Sequence, residues 1–87
     1  MISRVRPSFW RCYEALDLRI QEAARRSYQL FLANPAHPSL RLKKLAGHDR
    51  IWSVRINDSF RALAERDGDT VVWFWIGSHN DFDKLFS

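Results

Sequence analysis

The sequence contains one cysteine, three glycines, three prolines and no long run of apolar residues. A single cysteine excludes an internal disulfide and fits a reducing compartment. The residues after Met1 include no apolar stretch of the length that a signal peptide or a transmembrane helix needs. The glycines do not form a phosphate-binding loop, and no serine lies in a nucleophile-elbow motif. We therefore expect a soluble, cytoplasmic protein without a membrane segment.

The residue types that bind metals or act as nucleophiles are scattered. His37, His48 and His79 fall in different predicted loops, without the short spacing that metal ligands usually have. Cys12 lies in a helical stretch together with Trp10 and Tyr13, and we expect all three to be packing residues. The sequence therefore predicts neither a metal site nor a cofactor.

Positive charge is concentrated in the first three quarters of the chain. Residues 1–66 hold thirteen of the fourteen Lys and Arg against six acids, a net charge of +7, whereas residues 67–87 have a net charge of −3. Six of the basic residues lie within one stretch of 21 positions: Arg41, Lys43, Lys44, Arg50, Arg55 and Arg61. Interleaved aromatic residues, Trp52 and Phe60, make this cluster typical of nucleic-acid binding. A solvated basic surface is the alternative.

The hydrophobic pattern predicts an α+β domain that covers residues 1–87. A short strand at 2–6 precedes a helix that begins at Pro7, and Asp17 caps a second helix unless the two form one bent helix. The helical stretch ends by Asn34-Pro35. Strands are predicted at 39–45, 51–56, 60–65 and 70–76, with Gly77 ending the last, and a short helix at 78–86. The expected architecture is two N-terminal helices packed on a mostly antiparallel twisted sheet of four to five strands.

One predicted hairpin places two positive charges opposite each other. Apolar residues alternate with polar ones in residues 52–56 and again in residues 60–64. The two apolar sets share a face only if the loop has an odd number of residues, which 57–59 provides. Arg55 then lies opposite Arg61. Because facing like charges destabilise a sheet, we expect an anion to fill the gap between them.

His79 is the histidine most suited to chemistry. It follows Gly77 and Ser78 just after a buried strand, where the sheet gives rigid support. Histidine exchanges protons near neutral pH, and RNA cleavage through the 2′-hydroxyl requires proton transfer. Arginines nearby can stabilise the charge on a scissile phosphate.

Four stretches together resemble a known family: Leu-Lys-Lys-Leu at 42–45, Trp-Ser-Val-Arg at 52–55, Phe-Arg-Ala-Leu at 60–63 and Gly-Ser-His at 77–79. The sequence resembles the RelE/ParE superfamily of type II toxin–antitoxin toxins, in particular RelE- and HigB-like members. The resemblance implies a RelE-like fold and a protein antitoxin encoded nearby. In the ribonuclease branch it implies cleavage of mRNA in the ribosomal A site without a metal. In the ParE branch it implies poisoning of DNA gyrase by binding.

The resemblance also implies roles for individual residues. Arg61 matches the position that binds the scissile phosphate, Arg55 lines the same groove, and His79 lies where the ribonuclease branch has an arginine or histidine. The remaining expected RNA contacts are Lys43, Lys44, Arg41, Arg50 and Phe82. Phe82 lies near a position where many ribonuclease members have a tyrosine, and phenylalanine can stack on a base but cannot transfer a proton.

Three functions therefore remain open at the level of sequence. The first is a ribosome-dependent mRNA endoribonuclease with His79, Arg61 and Arg55 as the catalytic residues. The second is a gyrase poison that cleaves nothing, and the absence of a tyrosine at Phe82 favours it. The third is a family member that only binds its antitoxin.

Overall fold

The computed structural model describes residues 1–86 and has the predicted α+β architecture. The elements are β1 (Ile2–Val5), α1 (Pro7–Glu14), α2 (Leu18–Ala33), β2 (Lys43–Lys44), β3 (Ile51–Arg55), β4 (Phe60–Asp67), β5 (Thr70–Ser78) and α3 (His79–Phe86), with a 3₁₀ helix at Pro38–Leu40. Within residues 1–86, none of the helices is both long enough and apolar enough to cross a bilayer.

The five strands form one sheet in the order β1-β5-β4-β3-β2. Strand β1 runs parallel to β5, and the other neighbours are antiparallel, so the sheet is mostly antiparallel as predicted. A parallel pair needs a long connection, and here the chain between β1 and β5 includes α1, α2 and three other strands. Strand β4 therefore lies at the centre, between β5 and β3, and forms with β3 the hairpin that carries Arg55 and Arg61.

Strand β2 is much shorter than the strand predicted at 39–45. Pro38, Ser39 and Leu40 form a 3₁₀ helix, and the Nδ1 atom of His37 accepts a hydrogen bond from the Ser39 backbone N–H at 3.2 Å. The next residue, Arg41, has a left-handed backbone with φ of 46°. Only Lys43 and Lys44 then pair with β3.

The two N-terminal helices are separate, which decides between the two possibilities left by the sequence. The Asp17 carboxylate accepts a hydrogen bond from the Ile20 backbone N–H at 3.2 Å and so caps α2 as predicted. The Gln21 side chain donates to the carbonyl oxygens of Tyr13 and Leu16, at 3.0 and 3.2 Å, which ties the end of α1 to the start of α2. Helix α2 ends at Ala33, immediately before Asn34-Pro35.

The sheet has two differently covered faces. We call the first the helix face: it carries Val54, Ala62, Trp73 and Ile76 and packs against residues of α1 and α2, including Phe31. We call the second the arginine face: it carries Arg55, Arg61 and Trp75 and is partly covered by α3. Ser53 and Leu63 on the arginine face are also buried, so both faces contribute to the interior.

A β-bulge in β5 sends its two tryptophans to opposite faces. Leu63 pairs with Trp75 and Ala64 pairs with Trp73, so Phe74 is an extra residue between them. Trp73 meets the Phe31 ring on the helix face, with 5.2 Å between ring centroids. Trp75 meets α3 on the other face. Strict alternation would have placed both indoles on one face of the sheet. Because of the bulge, α2 covers Trp73 on the helix face and α3 covers Trp75 on the arginine face.

Gly77 does not end β5, contrary to the sequence prediction; the strand continues to Ser78. Gly77 is instead required by close packing. A Cβ atom on Gly77 would lie 2.6 Å from Cζ2 of Trp75, because the indole rests against the backbone there. The indole of Trp75 thus occupies the space beside Arg61 that a side chain at position 77 would fill.

Replacing Gly77 with alanine should destabilise the protein by about 1–3 kcal/mol, because the Trp75 ring must move to admit the methyl group. Urea unfolding followed by tryptophan fluorescence would measure the change. Gly68→Ala is the control, since a Cβ at Gly68 meets nothing within 4 Å and only its positive φ of 58° opposes the substitution. Because the backbone penalty applies to Gly68→Ala alone, an unchanged stability of Gly77→Ala beside a destabilised Gly68→Ala would mean that the contact with Trp75 is not limiting.

Candidate anion-binding site

The two facing arginines are placed as the sequence predicts. Arg55 pairs with Arg61 across the β3–β4 hairpin, and Val54 pairs with Ala62 on the opposite face. The three-residue turn is closed by the Asn57 side chain, whose oxygen accepts hydrogen bonds from the backbone N–H groups of Ser59 and Phe60 at 2.8 and 3.0 Å. This turn fixes the register that places Arg55 opposite Arg61.

Arg55 already has an anionic partner within the chain. The Arg55 guanidinium forms an ion pair and a hydrogen bond with the Asp58 carboxylate, three residues along the turn. The hydrogen bond and charge of Arg55, followed by the charges of Arg41 and Arg61, hold the pKa of Asp58 below its ordinary value. On the sequence alone, Asp58 is only a turn residue.

Arg55 pairs with this carboxylate, and the charges of Arg41 and Arg61 also act on it; we call these three residues the arginine cluster. Arg41 comes from the loop before β2, where its left-handed backbone is uncommon for a residue with a side chain. Within residues 1–86, neither Arg41 nor Arg61 has an ion pair or a side-chain hydrogen bond. The cluster therefore retains two positive charges that have no ion-pair partner within residues 1–86. Such a group is suited to binding a phosphate.

His79 begins α3 beside the turn of the hairpin. Its backbone N–H donates to the Ser59 carbonyl oxygen at 2.7 Å, which links the histidine to the turn that carries Asp58. The Nε2 atom of the imidazole lies 3.5 Å from a carboxylate oxygen of Asp83, one helical turn later. The side chain is 48% exposed. The histidine backbone is therefore fixed to the turn that carries Asp58, and its side chain is accessible from solvent.

Phe82 supports this histidine and also anchors α3. Its ring stacks on the imidazole of His79, with 6.1 Å between centroids and 17° between planes. The same ring contacts Trp75 at 6.3 Å and Phe86 at 5.5 Å. Phe82 is half-buried in these contacts. Stacking on an RNA base, which the sequence analysis expected of it, would use only the part of the ring that remains exposed.

The other expected RNA contacts lie in different places. Lys43 pairs with Ser53 and so projects on the arginine face, two strand positions from Arg55. Lys44 pairs with Trp52 and projects on the helix face. Arg50 precedes β3 and is separated from Arg55 by the length of that strand, about 17 Å at roughly 3.4 Å per residue. The structure thus brings Lys43 towards the arginine cluster and leaves Lys44 and Arg50 apart from it.

Solved structures of toxins share this fold. The toxin–antitoxin complex RelB–RelE from Methanococcus jannaschii superposes with a TM-score of 0.79 over 97% of this chain and 99% of that chain, at 14% identity. The YoeB/ParE toxin from Agrobacterium tumefaciens gives 0.70 over 91% and 99%, at 21% identity. The RelBE2 toxin–antitoxin complex from Mycobacterium tuberculosis gives 0.68 over 90% and 96%, at 22% identity. At these identities the similarity establishes the fold alone.

The family of this chain is established by a match between its sequence and a family model. No protein with a curated description matches the chain. Residues 18–84, which include α2, all of β2 to β5 and most of α3, match the model of the ParE-like toxin domain. The matched region contains the whole arginine cluster and His79. The chain therefore belongs to the ParE-like toxin domain family, within the RelE/ParE superfamily of toxin–antitoxin toxins.

Proposed function

We propose that this toxin is a metal-independent, ribosome-dependent mRNA endoribonuclease that acts in the cytoplasm and inhibits translation. The observation that supports this proposal is the arginine cluster with an exposed histidine fixed beside it. Arg55 and Arg61 come from paired strands, and the backbone hydrogen bond between His79 and Ser59 holds the imidazole at the same end of the sheet. A phosphate clamp and a proton carrier are the two elements that RNA cleavage requires.

The reaction follows from the chemistry of RNA. The 2′-oxygen attacks the adjacent phosphorus and loses its proton, while the bond from phosphorus to the 5′-oxygen breaks and that oxygen gains a proton. The products carry a 2′,3′-cyclic phosphate and a 5′-hydroxyl. His79 serves one of the two proton transfers and solvent serves the other. Arg61 and Arg55 stabilise the additional negative charge on the phosphoryl oxygens in the transition state.

Affinity for the message comes from the basic residues around this centre. Lys43 lies on the arginine face and is suited to contact the RNA backbone next to the scissile phosphate. Lys44 and Arg50 lie away from the cluster, and in this proposal they contact more distant RNA of the message or the ribosome. Such contacts are electrostatic, so binding should weaken as salt concentration rises.

A gyrase poison that acts by binding is the second candidate. The specific observation in its favour is the absence of a phenolic group at the candidate site. The two tyrosines of the chain, Tyr13 and Tyr28, both pack on the helix face. Phe82 is engaged with Trp75 and cannot carry a proton. If His79 transfers no proton either, the arginine cluster remains as a surface for binding alone.

One comparison tests the proposed function. The purified chain would be added to a reconstituted translation system, with primer extension to locate cuts, and in parallel to a DNA gyrase supercoiling reaction. The ribonuclease proposal predicts cuts in translated mRNA and unchanged supercoiling. Intact mRNA together with relaxed plasmid would establish the gyrase alternative. A toxin that affects neither reaction but binds its antitoxin would correspond to a non-catalytic family member.

An apolar groove on the helix face is the proposed antitoxin site. The groove has a volume of about 510 Å³ and lies between the two N-terminal helices and the sheet. Trp10 lines it and is 48% exposed, although the sequence analysis expected this residue to be buried. Arg25, which also lines the groove, donates a hydrogen bond to the Tyr13 hydroxyl at 2.9 Å. An amphipathic antitoxin segment with acidic flanks would match both the apolar floor and the basic edge.

Replacing Trp10 with alanine should weaken antitoxin binding by about tenfold to a hundredfold, because exposed tryptophans that become buried in an interface carry much of its binding energy. The antitoxin to use is the product of the short reading frame adjacent to the toxin gene, co-expressed and then titrated by calorimetry. Arg61→Ala is the matched control, since Arg61 lies on the opposite face of the sheet. A loss of affinity in Arg61→Ala and not in Trp10→Ala would place the antitoxin on the arginine face instead.

A further inference from the structure

Asp58 lies where an incoming phosphate would have to bind. Its carboxylate is paired with Arg55, and the fields of Arg41 and Arg61 reach it as well. A carboxylate and a phosphodiester both carry one negative charge and accept hydrogen bonds in a geometry that suits a guanidinium. In the free protein, the position that would bind RNA is therefore already filled by an anion of the chain.

The contact that holds Asp58 is easily broken. The Asp58 side chain is 91% exposed, and Arg55 is its only hydrogen-bond or ion-pair partner among residues 1–86. Exposed ion pairs contribute little to stability because solvent and salt screen them. The turn backbone does not depend on the pair, since the Asn57 side chain closes the turn. Asp58 can therefore leave Arg55 without unfolding the hairpin.

We propose that Asp58 is a built-in competitor for the RNA phosphate: it occupies Arg55 in the free toxin and is displaced when RNA binds. This inference rests on the proposed function, because it concerns the same site. While RNA is absent, Asp58 relieves the repulsion between Arg55 and Arg61. When RNA is present, the displaced carboxylate stays nearby and opposes binding. Asp58 thus lowers the affinity of the toxin for RNA.

The test is the affinity of Asp58→Asn for a short single-stranded RNA, measured by fluorescence anisotropy. Asparagine preserves the size of the side chain and removes its charge. We expect binding to become tighter by roughly three- to tenfold, as one like charge close to the phosphate is removed. The dependence of affinity on salt should also become steeper by about one phosphate contact. Weaker binding would overturn the inference, because it would show that Asp58 positions Arg55 for RNA rather than competing with it.

Asp67→Asn is the matched control. It makes the same change in net charge, but Asp67 lies at the far end of β4 from Arg61. Equal tightening in both variants would mean that only net charge matters, and the inference would fail. In an Arg55→Ala background the effect of Asp58→Asn should shrink, because no guanidinium is left for Asp58 to occupy. An undiminished effect there would also count against the inference.

The Asp58 carboxyl gives a second and direct measurement. Arg55 holds the pKa of this group below its ordinary value of 3.8 in the free protein. Bound RNA should raise it, since the carboxyl loses its guanidinium partner, and carboxyl-carbon NMR would follow the titration. An unchanged Asp58 pKa in the RNA complex would show that the pair is not displaced.

Cleavage separates this inference from the proposed function. If wild-type toxin cuts translated mRNA but Asp58→Asn binds RNA no more tightly, the function holds and the inference fails. If Asp58→Asn binds RNA more tightly but neither protein cuts, the competition is real and the protein is not a ribonuclease. If neither protein binds RNA, the guanidinium released from Asp58 does not attract phosphate, and the inference is overturned.

Discussion

Arg61→Ala should lower the rate of ribosome-dependent mRNA cleavage by about a hundredfold and leave the fold intact. Arg61 is half-buried at the end of β4, next to Gly77 and the indole of Trp75, and has no ion pair within residues 1–86. Its charge is therefore available to the scissile phosphate. Removal of one preorganised donor to the charge that develops in a transition state costs about 3 kcal/mol. Single-turnover cleavage of a programmed ribosome would measure the change.

The stability of Arg61→Ala distinguishes function from structure. Because the substitution also removes the repulsion from Arg55, the free energy of unfolding should stay unchanged or rise slightly. Arg50→Ala is the control for general loss of positive charge, since Arg50 lies at the opposite end of β3 from Arg55. A strongly destabilised Arg61→Ala, seen by circular dichroism and urea unfolding, would identify Arg61 as a structural residue. An equal loss of cleavage in Arg50→Ala would remove the special role of Arg61.

The sequence predicted the hairpin correctly because a hairpin is a local structure. Alternation of apolar residues and an odd loop length suffice to place Arg55 opposite Arg61, and no distant residue alters that register. The same reasoning also predicted that an anion should lie between them. That prediction is untested, and the reasoning did not foresee the ion pair between Arg55 and Asp58, because the direction of a turn side chain depends on backbone angles that composition does not specify.

The features that the sequence analysis missed depend on contacts between distant segments. The bulge at Phe74 is visible only once β5 is aligned with β4, and the Ser8 hydroxyl of α1 donates to the Phe74 carbonyl oxygen at 2.8 Å. The Trp75 indole lies close to Gly77 and packs against Phe82 and Phe86 of α3, which are contacts that the sequence of β5 does not reveal. No pattern within β5 alone distinguishes Trp73 from Trp75.

The opposite directions of Lys43 and Lys44, in contrast, could have been read from the sequence. Two consecutive residues of a strand point to opposite faces, so both lysines cannot line one groove. Both lysines are expected RNA contacts on the sequence alone, since they are adjacent and basic. Neighbouring residues of one strand point to opposite faces of the sheet. Residues that share a face are two positions apart in one strand or directly opposite each other in two paired strands. By that rule Lys43, Ser53 and Arg55 belong together and Lys44 does not.

His79→Ala should lower ribosome-dependent cleavage by a hundredfold or more, the largest effect that we expect from any single substitution. General acid–base catalysis contributes about 10²–10⁴-fold, and no tyrosine lies near this site to replace the imidazole. Ribosome binding should hardly change, since the arginine cluster and Lys43 supply the electrostatic affinity. Primer extension on a translated message and sedimentation with ribosomes would measure the two properties separately.

A second variant separates proton transfer from hydrogen bonding. Glutamine in place of His79 can donate a hydrogen bond and has a similar reach, but it cannot take up and release a proton near neutral pH. If His79 transfers a proton, His79→Gln should be as inactive as His79→Ala, whereas a hydrogen-bonding role would let glutamine restore most of the rate. Phe82→Leu is the control that separates loss of the imidazole from loss of the ring that stacks on it. This variant removes the stacked ring and leaves His79 in place. Full cleavage by both His79 variants would exclude the histidine from the mechanism, and with it the observation that favours a ribonuclease over a gyrase poison.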